Sequence, residues 1–171
     1  MNIKLANKGD INEIMVLIEK VNKKLLSLGF SNWNKGYPNQ QIVEKDIEND
    51  EQYKLMDFNQ NGHNIIGIYS LAKFHYPIFD KLKFTDKTNN YGMIHRVAVI
   101  PEYQNRGYAK LMMDNAENIL RIKRYFSIRL GVISSNDKLV EFYLNRDYKI
   151  KGSENFEIDE SPFYLMEKII K

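Results

Sequence analysis

One stretch constrains this chain more than any other: Val97-Ala98-Val99-Ile100-Pro101-Glu102-Tyr103-Gln104-Asn105-Arg106-Gly107-Tyr108-Ala109. A β-branched run stops at a proline, passes through polar residues, and enters a segment in which Ala109, Met112, Ala116, Ile119 and Leu120 recur at helical spacing. Strand, turn and helix in that order leave the amides of Asn105 to Ala109 without intrahelical carbonyl partners, and the helix dipole adds a positive field there. Such a turn is a place for an anion, phosphate above all. Gly107 has no side chain, so a ligand can come close to the backbone at that point.

The rest of the chain reads as short alternating elements around this stretch. Asn2 to Leu5 is a predicted strand. Asp10 with Glu13 three residues on has the form of a capping box before a helix carrying Ile11, Ile14, Met15, Ile18, Val21, Leu25 and Leu28, which Gly29 ends. Residues 30–39 read as a loop and Gln40 to Asn49 as a second helix. Tyr53 to Phe58 and Ile65 to Phe74 are predicted strands joined by the turn signal Asn59-Gln60-Asn61-Gly62. The polar, lysine-rich segment Pro77 to Asn90 is expected to be a long exposed loop. Met93 to Ile100 is the fourth strand, about Gly107 to Arg124 the third helix, and Ile128 to Ile133 a buried strand. Ser135 or Asn136 caps a fourth helix with Leu139, Val140, Phe142 and Tyr143. Tyr148 to Lys151 and Phe163 to Ile169 close the series. Antiparallel hairpins combined with a crossover helix predict an α/β fold whose sheet holds both parallel and antiparallel pairs.

Composition narrows the classes of function. With 171 residues, 43% apolar and 27% charged, the chain suits one globular domain over residues 1–171. It has no apolar run of membrane-spanning length, and its start is unlike a signal peptide, so a cytoplasmic protein is expected. There is no cysteine, which excludes thiolate metal ligands and a cysteine nucleophile. The formal charge of +3 comes from basic residues interspersed with acidic ones, too weak a signal for a nucleic-acid partner. The one dense basic segment, Arg121-Ile122-Lys123-Arg124, reads as cations at a helix C-terminus. His63, His75 and His95 are scattered without partnered carboxylates, so no metal site is expected.

Gln104-Asn105-Arg106-Gly107-Tyr108-Ala109 resembles the Q/R-x-x-G-x-G/A pyrophosphate loop of the GNAT superfamily of N-acetyltransferases, placed as there after a valine-rich fourth strand. Asn136-Asp137-Lys138-Leu139-Val140-Glu141-Phe142-Tyr143 is similar to that superfamily's fourth-helix pattern, an Asn followed seven residues later by Tyr. The resemblance covers essentially the whole chain. One departure concerns the usual Gly-Phe after that helix, which is Asp147-Tyr148 here. It bears on the geometry of the helix end, because Asp tolerates left-handed backbone less readily than Gly.

The resemblance implies a mixed sheet of about seven strands flanked by about four helices, with a splay between the fourth and fifth strands, and acetyl-CoA as cosubstrate. It implies that the backbone of Val97, Ala98 and Val99 pairs with the pantetheine and polarises the acetyl carbonyl. Gln104, Asn105, Arg106, Gly107, Tyr108 and Ala109 would hold the pyrophosphate, with Asn136 and Tyr143 also at the cofactor. Tyr143 would act as general acid to the departing thiolate. Strand alternation puts Met93, His95, Val97 and Val99 on one face, and imidazole suits proton acceptance near neutral pH, which makes His95 the candidate base; a water chain is the alternative. The position of a glutamate base in other members is similar to Met93. Arg96, on the opposite face, reads as an ion-pairing residue. Trp33 and Tyr37, in a loop with Gly and Pro, are candidate acceptor contacts, and Trp33 can equally pin that loop to the core. The expected activity is direct acetyl transfer to a primary amine of a small molecule. The alternatives are a protein N-terminal or lysine acetyltransferase, and a catalytically silent acyl-CoA-binding protein. The resemblance also allows a homodimer.

Overall fold

A computed structural model of the chain describes every residue except 32, 34, 35, 60, 61, 73–76, 157–160 and 171, and the side chains of 58, 59, 62 and 63 also lie outside the description. The elements are β1 (Asn2–Leu5), α1 (Ile11–Ser27), α2 (Gln40–Glu48), β2 (Gln52–Asn59), β3 (Gly62–Ala72), β4 (Tyr91–Val99), α3 (Tyr108–Ile122), β5 (Ser127–Ile133), α4 (Asp137–Leu144), β6 (Lys149–Glu154) and β7 (Phe163–Ile169). The strands hydrogen-bond in the order β1-β2-β3-β4-β5-β7-β6. β4 and β5 run parallel, whereas β1–β2, β2–β3, β5–β7 and β6–β7 are antiparallel, so the sheet is mixed as its element order predicts. The parallel ladder spans only Tyr91–Met93 against Ser127–Arg129, which is what a splay of these strands requires. No described helix is long and apolar enough to cross a membrane.

Contacts group the chain into two compact units, Met1–Ala72 with His95–Ala116 and Lys73–Ile94 with Glu117–Lys171. In the first, α1 turns Ile14, Leu17, Ile18 and Val21 inward onto Val43 and Ile47 of α2, Ile65 and Ile68 of β3, and Ala98 of β4. Each isoleucine, leucine or valine among them contributes about 1.5–3 kcal/mol when fully buried. The capping box before α1 lies one turn earlier than Asp10 and Glu13 predict. Asn7 Oδ1 accepts from the Gly9 amide at 2.9 Å, and Asp10 accepts from the Asn7 amide at 2.7 Å. Asp10 also takes the buried Lys54 ammonium at 2.5 Å, and Glu13 accepts from the Ile65 amide at 2.6 Å. Both acids are thus engaged by the sheet, a tertiary demand that local spacing does not reveal.

In the second unit the segment from Pro77 to Asn90 is exposed at most of its positions, as expected of a loop, but it opens with a short helical turn at Pro77–Lys81 and is anchored at three buried side chains, Phe79, Phe84 and Asp86. Phe79 and Phe84 are buried with Met93 and Leu165. Glu167 accepts from the amides of Thr85 at 2.7 Å and Asp86 at 3.1 Å, and the buried Asp86 carboxylate accepts from Ser127 Oγ at 2.8 Å. Arg129 stacks over Phe84 and Tyr91 at 3.7 and 3.8 Å. The lysines that make the segment look solvated surround two phenylalanines that anchor it.

Candidate active site

The strand-turn-helix stretch forms within the first unit. After β4 the chain makes a short helical turn at Pro101–Tyr103, where the Tyr103 amide reaches the Ile100 carbonyl at 3.0 Å. Gln104 then turns its side chain back, donating Nε2–H to the Val99 carbonyl at 2.9 Å, which ties the loop to the end of the strand. Asn105 and Gly107 both adopt left-handed backbone, with φ of 59° and 82°. The Gly107 carbonyl accepts the first bond of α3, from Leu111 at 3.0 Å, so the helix opens at the residue predicted. Asn105, Arg106 and Gly107 are exposed, and a Cβ added at Gly107 would meet nothing within 4 Å. The turn is open to a ligand of phosphate size, with helix N-terminal amides at its base. Arg106 stacks over Tyr103 at 5.2 Å, and the Tyr103 hydroxyl donates to Asp57 at 2.9 Å.

β4 departs from strict alternation at Arg96, whose φ of 52° is left-handed in mid-strand. The expected common face of Met93, His95, Val97 and Val99 is therefore interrupted. Met93 packs with Phe79, Phe84 and Leu165, whereas Ala98 joins the α1 core. The strain is held by a buried ion pair: Arg96 donates to Asp46 of α2, and its other terminal nitrogen donates to the Tyr37 hydroxyl at 3.2 Å. Asp46 also accepts from Ser70 of β3 at 2.8 Å. Arg96 thus has the ion-pairing character its sequence suggests. Burial and the adjacent guanidinium pull the His95 imidazole down to about 3, so it is neutral at ordinary pH. Trp33 is 8% exposed and packs in the core, with Tyr37 half-buried beside that cluster.

Asn136 and Tyr143 belong to the second unit. Asn136 is the cap of α4, its side chain accepting from the Leu139 amide at 3.1 Å. Tyr143 is buried on the inner face of α4, edge-to-face with Tyr148 at 5.6 Å. Burial pushes its phenol up to about 12, and nearby Arg146 offsets this only in part. Asp147 takes the left-handed conformation expected of glycine, with φ of 67°. Beneath α4, the buried Glu117 of α3 receives Arg146 at 3.0 Å, Lys168 at 2.7 Å and the Tyr148 hydroxyl at 3.3 Å. Sequence reading passed over Asp46 and Glu117. The signal for Glu117 was its spacing, since it follows Met113 by four residues on the inward side of α3. Asp46 had none, because its partners lie 24 and 50 residues away. His75 lies outside the described residues, as does the side chain of His63.

The profile of the acetyltransferase (GNAT) family matches residues 19–148. Among solved structures, a GNAT-family acetyltransferase from Streptococcus agalactiae is similar over 99% of this chain and 95% of its own, with a TM-score of 0.80 at 19% identity. One from Listeria monocytogenes gives 0.76 at 22% identity over 98% and 94% of the two chains. The PaiA N-acetyltransferase of Thermoplasma acidophilum, solved in complex with coenzyme A, gives 0.72 at 18% identity over 98% of each. No curated protein matches the sequence significantly. The match over most of the chain settles the class: this protein belongs to the GNAT acetyltransferase family. It is an N-acetyltransferase.

Proposed function

We propose that the protein transfers the acetyl group of acetyl-CoA directly to a primary amine of a small molecule. The observation that carries the cofactor half is the exposed Asn105–Gly107 turn, with its left-handed backbone, open space at Gly107 and helix N-terminal amides. Gln104, Asn105, Arg106, Gly107, Tyr108 and Ala109 are assigned to the pyrophosphate, and the backbone of Val97, Ala98 and Val99 to the pantetheine and the acetyl carbonyl. Asn136 acts by capping α4. Tyr143, protonated throughout the working range, donates to the sulfur as the C–S bond breaks and charge develops there. The amine nitrogen forms the new bond to the carbonyl carbon and releases one proton, which leaves through His95 or along a water chain to solvent. Burial holds that imidazole down to about 3, so it does not store the proton, and the Tyr143 phenolate takes one back from solvent.

A small acceptor is favoured over a peptide by the α1–α2 connection, where Trp33 is packed in the core and Tyr37 is held by Arg96. A segment pinned through its side chains suits a small amine, whereas a peptide needs an open groove with free backbone partners. The deciding experiment is a free-thiol assay with acetyl-CoA against polyamines, aminoglycosides, aryl amines, amino acids and peptides. Turnover is expected with a non-peptide amine; release with peptides alone would transfer the assignment to protein acetylation, and background release throughout would leave an acyl-CoA-binding protein. In parallel, Gly107→Glu should abolish acetyl-CoA binding in calorimetry through steric block and charge repulsion, and undiminished affinity would overturn the pyrophosphate assignment.

A further inference from the structure

We propose that Arg96 is a positioning residue for the acceptor: from its left-handed place in β4, its guanidinium holds Tyr37 and Asp46 and thereby sets the acceptor-side connection between α1 and α2. This rests on the reading that Tyr37 faces the acceptor. The side chain of Arg96 is 5% exposed and that of Asp46 10% exposed, so the pair is shielded from solvent. Its partners come from separate elements, Tyr37 from the α1–α2 connection and Asp46 from α2, while Ser70 of β3 holds Asp46 from a third side. Ser70 in turn lies 3.0 Å from Gln52 Oε1, and Gln52 Nε2 donates to the carbonyls of Tyr53 and Tyr69 at 3.1 Å each. The chain of contacts therefore ends on sheet backbone, which cannot easily give way. Strained backbone persists only where its surroundings over-determine it, and an arginine at φ of 52° beside His95 and Val97 is such a case. A planar fork can hold a carboxylate and a phenol at fixed geometry, which an ammonium cannot.

Arg96→Gly separates the two roles of this residue, because glycine takes the left-handed backbone freely and removes only the fork. Trp33, the single tryptophan of the chain, lies in the same connection and belongs to the buried cluster against which Tyr37 packs, so it reports on the connection without any substrate. In Arg96→Gly, acrylamide quenching of Trp33 should at least double while circular dichroism stays unchanged. With the amine that gives the fastest thiol release, KM for that amine should rise at least fivefold, with kcat within threefold and acetyl-CoA affinity by calorimetry within twofold. Tyr37→Phe should reproduce the KM effect, and Arg96→Lys should recover part of it. A folded Arg96→Gly with unchanged Trp33 quenching and amine KM would overturn the proposal. If that variant does not fold, Asp46→Asn, which keeps shape and removes the charge, must show the same rise in quenching, and its absence overturns the proposal equally. Should the unmodified protein transfer acetyl to no amine, the functional reading fails, while Trp33 quenching still decides whether Arg96 holds the connection.

Discussion

Burial moves the two ionisable side chains of the proposed chemistry in opposite directions, and each shift has a measurable consequence. The Tyr143 phenol, held up to about 12, keeps its proton until it is needed. Tyr143→Phe should lower kcat by about 10²-fold or more, the usual contribution of general acid catalysis, and leave acetyl-CoA affinity within threefold. Steady-state kinetics with calorimetry checks both, and unaltered turnover would remove Tyr143 from the chemistry. His95 works in the other sense. Unfolded, an imidazole takes up a proton near pH 6.5, but in the fold it does so only at about 3. The unfolded chain binds more protons between those values, so stability present above 6.5 is lost as pH falls through that window. Between pH 7 and pH 5 this amounts to about 2 kcal/mol. Urea titrations at the two pH values should show the unmodified protein losing that much more than His95→Gln, and equal losses would refute the depressed imidazole.

At the scale of elements, the end of α4 shows how a local rule can be broken and the geometry kept. Asp147 stands where the family usually has glycine, yet its φ of 67° is left-handed. The closing bonds are intact: the Asp147 amide reaches the Leu144 carbonyl at 3.0 Å and the Tyr148 amide the Tyr143 carbonyl at 3.2 Å. Left-handed backbone costs a non-glycine residue about 1–2 kcal/mol, somewhat less for Asp, whose short polar side chain can bond locally. Asp147→Gly should therefore stabilise the protein by about 0.5–1 kcal/mol, read as a higher urea midpoint at unchanged slope. A lower midpoint would mean that the Asp147 side chain itself holds the turn. The bounds of most elements were legible because each carries its own periodicity. Arg96 and the 77–90 segment were not, since one left-handed residue in mid-strand and a loop anchored by Phe79 and Phe84 leave no periodic trace.

For the whole molecule, a ligand that binds only the folded chain stabilises it by mass action. Acetyl-CoA at 100 times its dissociation constant adds about 2.7 kcal/mol. For a chain of this length that should raise Tm by about 5–10 °C. Differential scanning fluorimetry checks this, and Gly107→Glu should show no shift. A shift of equal size in that variant would place the main cofactor contact away from the turn.

The sequence by itself determined the mixed α/β order, the strand-turn-helix stretch through Gln104 to Ala109 and the class of chemistry, because strand, turn and helix signals act over a few residues and each motif is contiguous. It also marked Asn136 and Tyr143, although the cap that Asn136 makes was visible only as one of two candidates, Ser135 or Asn136. Tertiary structure alone decided which charges are buried and with whom. Arg96 finds Asp46 from 50 residues away, and Glu117 gathers Arg146 and Lys168 from 29 and 51 residues away. Desolvation of His95 and Tyr143 belongs to the same level, since a pKa depends on the water that packing removes, and no stretch of sequence records that.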